Sequence, residues 1–348
     1  MSAGSVATPG PARTDDRVWP LWGLFMLSGA AGLIHQVVWG RAFTPIVGGT
    51  TRAAAVVVSA FFLGMALGNW LGGRWARDRA ESLRRYALTE GLIAAGSLAV
   101  LGWLVFYRAI YPALYAWGVE HPVVLPVAQG GLALLAMGPP SVAIGVTLPL
   151  MSRVVTDRLG RAGLRVGGAY AINTLGATAG ALLAGFFLLG ELGIRGSIML
   201  AAGLNAVVAA AAWGLFRMGS LQREPSGSLA PTEPRPLEHD SRSLTVPPSR
   251  WAAASAAALS GLATLALEVF FVRLLVNRTD GSTHSFALIL CVFLVSLALG
   301  AACCAAMVDR VRNPWRIVAW GGSLAALGTF LVPLGFDFSR SVVGAAVA

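Results

Sequence analysis

The sequence predicts an all-α fold: a polytopic transmembrane helical bundle of about nine helices with an internal repeat. Hydrophobic residues make up 56% of the 348 residues and charged residues only 12%, whereas soluble domains usually carry about 25% charged residues. Apolar stretches long enough to cross a bilayer, which needs about 20 residues, recur along the chain. Two of these regions carry the same residues at a constant spacing, which indicates a duplicated bundle.

The duplication is visible without gaps at a spacing of 232 residues. The segment Ser28–Leu33 corresponds to Ser260–Leu265, and Arg41 corresponds to Arg273. This register predicts a six-helix half followed by a partial second copy of three helices. We therefore expect the second copy to be unfinished, either because the chain is a fragment or because the missing helices come from elsewhere.

Helices are favoured for every span, because backbone polar groups in lipid must be satisfied within the segment. The predicted organisation is an N-terminal tail at 1–18, a six-helix half at 19–217, a Pro-rich linker at 218–250 and a partial repeat at 251–348. The tail lacks the apolar core of a signal peptide, so the first span is expected to be retained. The predicted spans are Trp19–Trp39, Ala53–Gly73, Tyr86–Phe106, Val123–Leu150, Gly167–Leu189, Gly196–Phe216, Trp251–Val276, Ser285–Ala306 and Ile317–Leu334.

Charge placement predicts the orientation in the membrane. The net charge of +10 comes from arginine alone, and the arginines concentrate in the loops after the second, fourth and eighth spans. The positive-inside rule then places these loops, the linker and the amino terminus in the cytoplasm. We expect a multi-pass protein of the plasma (inner) membrane, embedded in the lipid bilayer. Nucleic-acid binding is not expected, because no basic stripe with interleaved aromatic residues is present.

Neither a metal site nor a cofactor is predicted. The three cysteines, Cys291, Cys303 and Cys304, lie in one span and form no Cys-x-x-Cys pair. His35 and His284 are not equivalent in the repeat, so a paired metal site is not expected. Each is expected to be a packed or interfacial histidine rather than a proton relay.

Few polar side chains fall within the predicted spans, and an ionisable residue inside a membrane is a candidate functional group. If a ligand binds between the halves, Glu90 and Glu268 are expected to hold a cationic amine, with Arg41 and Arg273 near the mouths of the cavity. The full set of candidate ligand-binding residues is Gln36, Glu90, Asn173, Glu268, Arg41 and Arg273.

Structural alternatives exist for the same residues. Both arginines could instead snorkel to the interface while Glu268 pairs with one of them. Glu90 could pair with a loop arginine such as Arg85. The side chains of Asn173, Thr174 and Asn205 are expected to bond across helices, as is usual in membrane bundles. Small residues at helical spacing predict close helix packing rather than gating: Gly64, Gly68, Gly72, Gly176, Gly180 and Ala184.

Four segments together resemble the membrane domain of fused, spermidine-synthase-like integral membrane proteins. The segments are Ser28–Trp39 with Arg41, Gly145–Arg153, Tyr170–Ala177 with Gly180 and Gly185-Phe186, and Leu192–Gly196. The loop Gly72–Arg79 also resembles the basic–acidic loop after the second helix of major facilitator transporters. That likeness implies that its Asp and Arg side chains interact with neighbouring helix ends and helix dipoles.

The resemblance implies a non-catalytic membrane module that binds or moves a small molecule, with a polyamine or another amine as the ligand. In the resembling family a cytosolic aminopropyltransferase-type domain follows the bundle. Here no glycine-rich turn between a strand and a helix is found, so enzymatic activity is not expected. Gln36 stands where that family has glutamate. The alternative is a structural or scaffolding subunit that anchors a partner synthase or a membrane complex.

The topology can be tested in the linker. Cysteines introduced at Ser226 and Ser243 should be protected from a membrane-impermeant thiol reagent in intact cells and react after permeabilisation, because the arginine distribution places the linker inside. Gel-shift labelling measures this. Labelling from outside intact cells would contradict the predicted orientation.

Overall fold

The protein is described by a computed structural model that covers residues 19–47, 50–121, 123–156, 162–219, 250–276, 283–308, 311, 315–329 and 331. Within these ranges the chain is helical and contains no strand, so the predicted helical bundle is confirmed. The predicted tail at 1–18 and most of the predicted linker at 218–250 lie outside the described residues.

Nine helices occur in the described part of the chain. The fifth runs as Ala162–Leu183, continues through a π-helical turn at Ala184–Leu188 and ends with Leu189–Glu191; we label it α5. The others are α1 (Trp19–Val47), α2 (Thr50–Trp75), α3 (Arg79–Val119), α4 (Val124–Val155), α6 (Gly193–Arg217), α7 (Arg250–Val276), α8 (Thr283–Val308) and α9 (residues 315–329). The bounds of α7 and α8 lie within three residues of the positions 232 beyond α1 and α2.

Seven of these helices contain segments long and apolar enough to cross a membrane. α3 is longer than its predicted span, because it continues beyond Phe106 to Val119. Its 41 residues extend about 60 Å, twice the thickness of a hydrocarbon core. The seven segments are Trp19–Val47, Val56–Trp75, Arg79–Val119, Val124–Val155, Arg165–Glu191, Gly193–Arg217 and Ala287–Met307.

The first six helices pack in a pattern that is unchanged when α1–α3 is exchanged with α4–α6. The contact between α1 and α5 corresponds to the contact between α4 and α2, and the contact between α3 and α4 corresponds to that between α6 and α1. The third helices of the two units, α3 and α6, pack on each other. The exchange relates helices that run in opposite directions, as in inverted three-helix repeats. The sequence itself shows only the longer duplication at a spacing of 232 residues. Across the two halves, α5 packs against α8.

Glycines of α2 and α5 lie where two helix backbones come closest. A Cβ atom on Gly68 would overlap the carbonyl oxygen of Val142 in α4, and a Cβ atom on Gly176 or Gly180 would overlap carbonyl oxygens of α1. α2 and α5 occupy equivalent places in the two three-helix repeats. The remaining glycines of the predicted ridge on α2 also contact α4: Gly64 and Gly72. Such close approach gains packing where lipid provides no hydrophobic drive for association.

Two apolar clusters fill the bundle at different levels. One contains Trp39 and Phe43 of α1 with Val100 of α3, and the other contains Phe25 of α1 with Tyr86 of α3. Each cluster also takes residues from α4, α5 and α6. Between these two clusters lies a middle section of the bundle, which contains buried polar side chains.

Replacing Gly68 with Ala should destabilise the protein by about 1–3 kcal/mol, because the added methyl group meets helix backbone that cannot move aside. Gly73 of the same helix has open space around its Cα, so Gly73→Ala should be neutral or stabilising by up to about 1 kcal/mol. Thermal unfolding of both purified variants in detergent measures this. Equal stability would show that α2 does not depend on close approach at Gly68.

Candidate ligand-binding site

A buried network of polar side chains joins α1, α3 and α6 in the middle section of the bundle. The Ser28 hydroxyl of α1 donates to Oε1 of Glu90 in α3 at 2.5 Å, and Nδ2 of Asn205 in α6 donates to Oε2 at 2.7 Å. Nε2 of His35 lies 3.0 Å from Oδ1 of Asn205 and 3.0 Å from Oγ of Ser97. All five side chains are buried. We call this set the Glu90 network.

The hydrogen-bond partners determine which nitrogen of His35 carries a hydrogen. The Ser97 hydroxyl donates to the carbonyl oxygen of Ile93 at 2.8 Å, so its oxygen accepts from His35. The Asn205 side chain donates through its NH2 group to Glu90 and therefore presents its oxygen to His35. Nε2 of His35 is thus the donor, and Nδ1 of the neutral ring is an acceptor. The chain of donors ends on the two carboxyl oxygens of Glu90.

Helical spacing explains why these residues meet. Ser28 and His35 are seven residues apart on α1, and Glu90 and Ser97 are seven apart on α3. Residues two turns apart share one face of a helix, so each helix presents two polar groups to the other. Asn205 lies halfway along α6 and bonds both to Glu90 and to His35. A polar cluster at this depth is surrounded by apolar side chains and must satisfy its hydrogen bonds within the protein.

Glu90 has no basic partner among the described residues. The alternative that it pairs with Arg85 is wrong, because Arg85 donates to Oε1 of Glu81 at 2.7 Å and to the carbonyl oxygen of Trp75 at 2.6 Å. Two ion pairs are described, and both belong to Glu81. Glu90 is therefore the acidic group of the site, and no arginine pairs with it in the described part of the bundle.

Several buried polar atoms beside the Glu90 network have no hydrogen-bond partner in the described part of the chain. They are Nδ1 of His35, Nε2 of Gln36 and Nε1 of Trp39. Trp39 stacks on His35 with ring centroids 5.0 Å apart, whereas the Tyr86 hydroxyl lies beside Ser28 and Glu90. Buried polar groups are usually paired in native proteins, so this concentration indicates a place where a ligand could bind.

The other predicted site residues are not brought to this network. Asn173 is half-buried and packs against Gly29, where α5 crosses α1, and Arg41 is exposed near the end of α1. Glu268 and Arg273 lie on α7, but their side chains lie outside what the structure describes. The cavity between the halves therefore stays a prediction.

The interhelical bonds differ in part from expectation. Asn205 bonds across helices, whereas Thr174 donates to the carbonyl oxygen of Tyr170 in its own helix at 2.8 Å, so that expectation was wrong for Thr174. Sequence reasoning missed Ser28 and Ser97 as partners of the site. The repeated seven-residue spacing of polar residues on α1 and α3 was the signal that could have found them.

At one end of the bundle, arginines at the start of α3 and near the end of α4 bond to backbone carbonyls. Nε of Arg79 donates to the carbonyl oxygen of Val154 at 2.9 Å, and Nε of Arg153 donates to that of Arg77 at 2.5 Å. Asp78 caps α3 by accepting a backbone N–H bond at 2.9 Å. Cations stabilise helix C-termini and anions stabilise N-termini. The α2–α3 loop is thereby tied to the end of α4.

The inverted packing of three-helix units and the buried site between them are typical of transporters. The family model of the Major Facilitator Superfamily matches residues 133–348, which is more than half of the chain. The chain belongs to the Major Facilitator Superfamily. Members of this superfamily are typically transporters of small molecules rather than enzymes. No curated protein and no solved structure matches the chain. The relation to spermidine-synthase-like proteins stays a prediction.

A double-mutant cycle can measure the coupling within the network. Asn205→Leu should cost about 1–3 kcal/mol, because a buried carboxyl oxygen loses its donor. Combining it with Glu90→Leu should cost less than the sum by about 0.5–3 kcal/mol. Glu90→Leu with Thr174→Ala, which share no hydrogen bond, is the control and should be additive. Thermal unfolding measures all variants, and additivity of the first pair would contradict the network.

Proposed function

We propose that the protein transports a small organic cation and that the carboxylate of Glu90 binds its protonated amine. The observation that supports this proposal is the burial of Glu90 without a basic partner in the described bundle. A buried charge is costly unless it is paired, and acidic residues within membranes typically mark substrate or ion pathways. A cationic ligand would balance the carboxylate, and a proton would replace that ligand when the site is empty.

Membership of the superfamily supports movement of the ligand rather than simple storage. In transporters of this architecture, substrates bind near the bilayer midplane at the interface between repeats, and the repeats rock around the site. Glu90 belongs to the repeat α1–α3, and its partner Asn205 belongs to the repeat α4–α6. A ligand at Glu90 would therefore lie at an interface between repeats, within the first six-helix half.

The chemistry of the site favours an amine. Ser28 and Asn205 hold the carboxyl group in place, so its remaining lone pairs can accept N–H bonds from a cation. A polyamine or another amine is the ligand that the sequence resemblance implies. In this proposal Glu268, which occupies in the second copy the position of Gln36, binds a further amino group of the same ligand.

The second candidate is a non-transporting membrane subunit that anchors a partner, such as a separately encoded synthase or a larger membrane complex. The observation in its favour is the apolar surface where α3 ends and α4 begins. Tyr115, Trp117, Val123 and Val127 are exposed there. Aromatic side chains are also common at membrane interfaces, so a transport assay is needed to separate the two functions.

Proteoliposome uptake of labelled spermidine should be measurable for the wild type, and Glu90→Gln should weaken binding about tenfold or more, because the charge-assisted bonds to the amine are lost. Glu120→Gln, at the exposed end of α3, is the matched control and should leave uptake unchanged. Equilibrium binding to the purified protein gives the affinities.

Two results would contradict the proposal. If both Glu90→Gln and Glu268→Gln bind the amine with unchanged affinity, these residues have structural roles and do not bind the ligand. If the wild type neither transports nor binds any amine, the anchoring subunit is the remaining function.

A further inference from the structure

We infer that Gln36 and Trp39 form a second subsite that receives a hydrogen-bond acceptor of the ligand, so that the transported amine also carries an acceptor such as a carbonyl oxygen. The inference rests on the proposed function for the amine group, but it uses different atoms. It narrows the substrate class from amines in general to amines with an acceptor at a defined distance.

The first support is the chemistry of the unpartnered atoms. The indole of Trp39 is 0% exposed and the side chain of Gln36 is 2% exposed, yet Nε1 of Trp39 and Nε2 of Gln36 have no acceptor among the described residues. An indole nitrogen can only donate a hydrogen bond. Buried N–H groups without acceptors are rare in native proteins. Two such donors within one turn of α1 therefore point to an acceptor that the protein itself does not supply.

The second support is that the indole is held in place. The Trp39 ring stacks on His35 with an interplanar angle of 22° and meets the ring of Phe61 edge-on at 6.4 Å. His35 is itself fixed by its bonds to Asn205 and Ser97. The indole N–H therefore cannot turn to an alternative acceptor without breaking two ring contacts. Such pre-organised donors lower the entropy that a ligand loses on binding.

The third support is the position of the donors relative to Glu90. Ser28, which bonds to Glu90, precedes Gln36 by eight residues and Trp39 by eleven on the same helix. These separations correspond to about 12 and 16 Å along the helix axis. Between the two levels, Nδ1 of His35 is an unpartnered acceptor. A ligand with an amine at one end and a carbonyl about ten bonds away would reach both Glu90 and the donors of Gln36 and Trp39.

The experiment compares two ligands of one chain length, diaminooctane and its mono-N-acetyl derivative, by equilibrium binding to the full-length protein in detergent. Trp39→Phe keeps the ring contacts and removes the N–H group, and Gln36→Met keeps the side-chain length and removes the amide. Each should weaken binding of the acetylated ligand about 3- to 10-fold relative to the diamine, the cost of one or two neutral hydrogen bonds. Trp213→Phe, on the outer part of α6, is the control and should leave the ratio unchanged.

The outcomes separate this inference from the proposed function. Glu90→Gln should weaken both ligands by the same factor, and if it does not, the amine site is wrong. If Trp39→Phe and Gln36→Met both retain the wild-type ratio of affinities while remaining folded by thermal unfolding, the acceptor subsite is wrong. If binding of the acetylated ligand depends on Trp39 but not on Glu90, the acceptor subsite stands and the proposed amine site fails. Binding of neither ligand overturns both.

Discussion

The carboxyl group of Glu90 sits at a depth where no solvent dipole can replace a missing hydrogen bond, and the arrangement of the central helices follows from this constraint. Its two oxygens are satisfied by Ser28 from α1 and Asn205 from α6, so three helices must meet at one level. In a hydrocarbon environment each of these bonds has to be made within the protein. The polar requirement of one side chain therefore specifies which helix faces turn inward.

Close glycine contacts make this convergence possible. α1 has to pack against α5 on one side while presenting Ser28 and His35 to α3 and α6 on the other. Gly176 and Gly180 let α5 approach the backbone of α1, and Gly68 does the same for α2 on α4. The two contacts are equivalent in the inverted repeat, so the bundle consists of two similar units that meet at the polar network.

This arrangement connects packing with movement. The Glu90 network joins the two three-helix units through hydrogen bonds, whereas the apolar clusters above and below the network join them through apolar contacts. Hydrogen bonds are directional, and apolar contacts are not. A change in the angle between the units would therefore alter the geometry at Glu90 more sharply than the packing around it. At the arginine-rich end, Arg79 links the start of α3 to α4, and Arg153 of α4 bonds to the α2–α3 loop.

The sequence by itself determined the membrane class, the helical fold and the approximate positions of the spans, because a lipid environment allows few solutions and hydropathy reports them directly. It also identified Glu90 as an unusual residue. It did not show that Glu90 forms no ion pair with Arg85, that His35 and Asn205 belong to the same site, or that the first half contains an inverted repeat. These features depend on rotation about helix axes and on which helices become neighbours. Contacts between residues 62 to 170 positions apart decide both, and no local pattern encodes such distances.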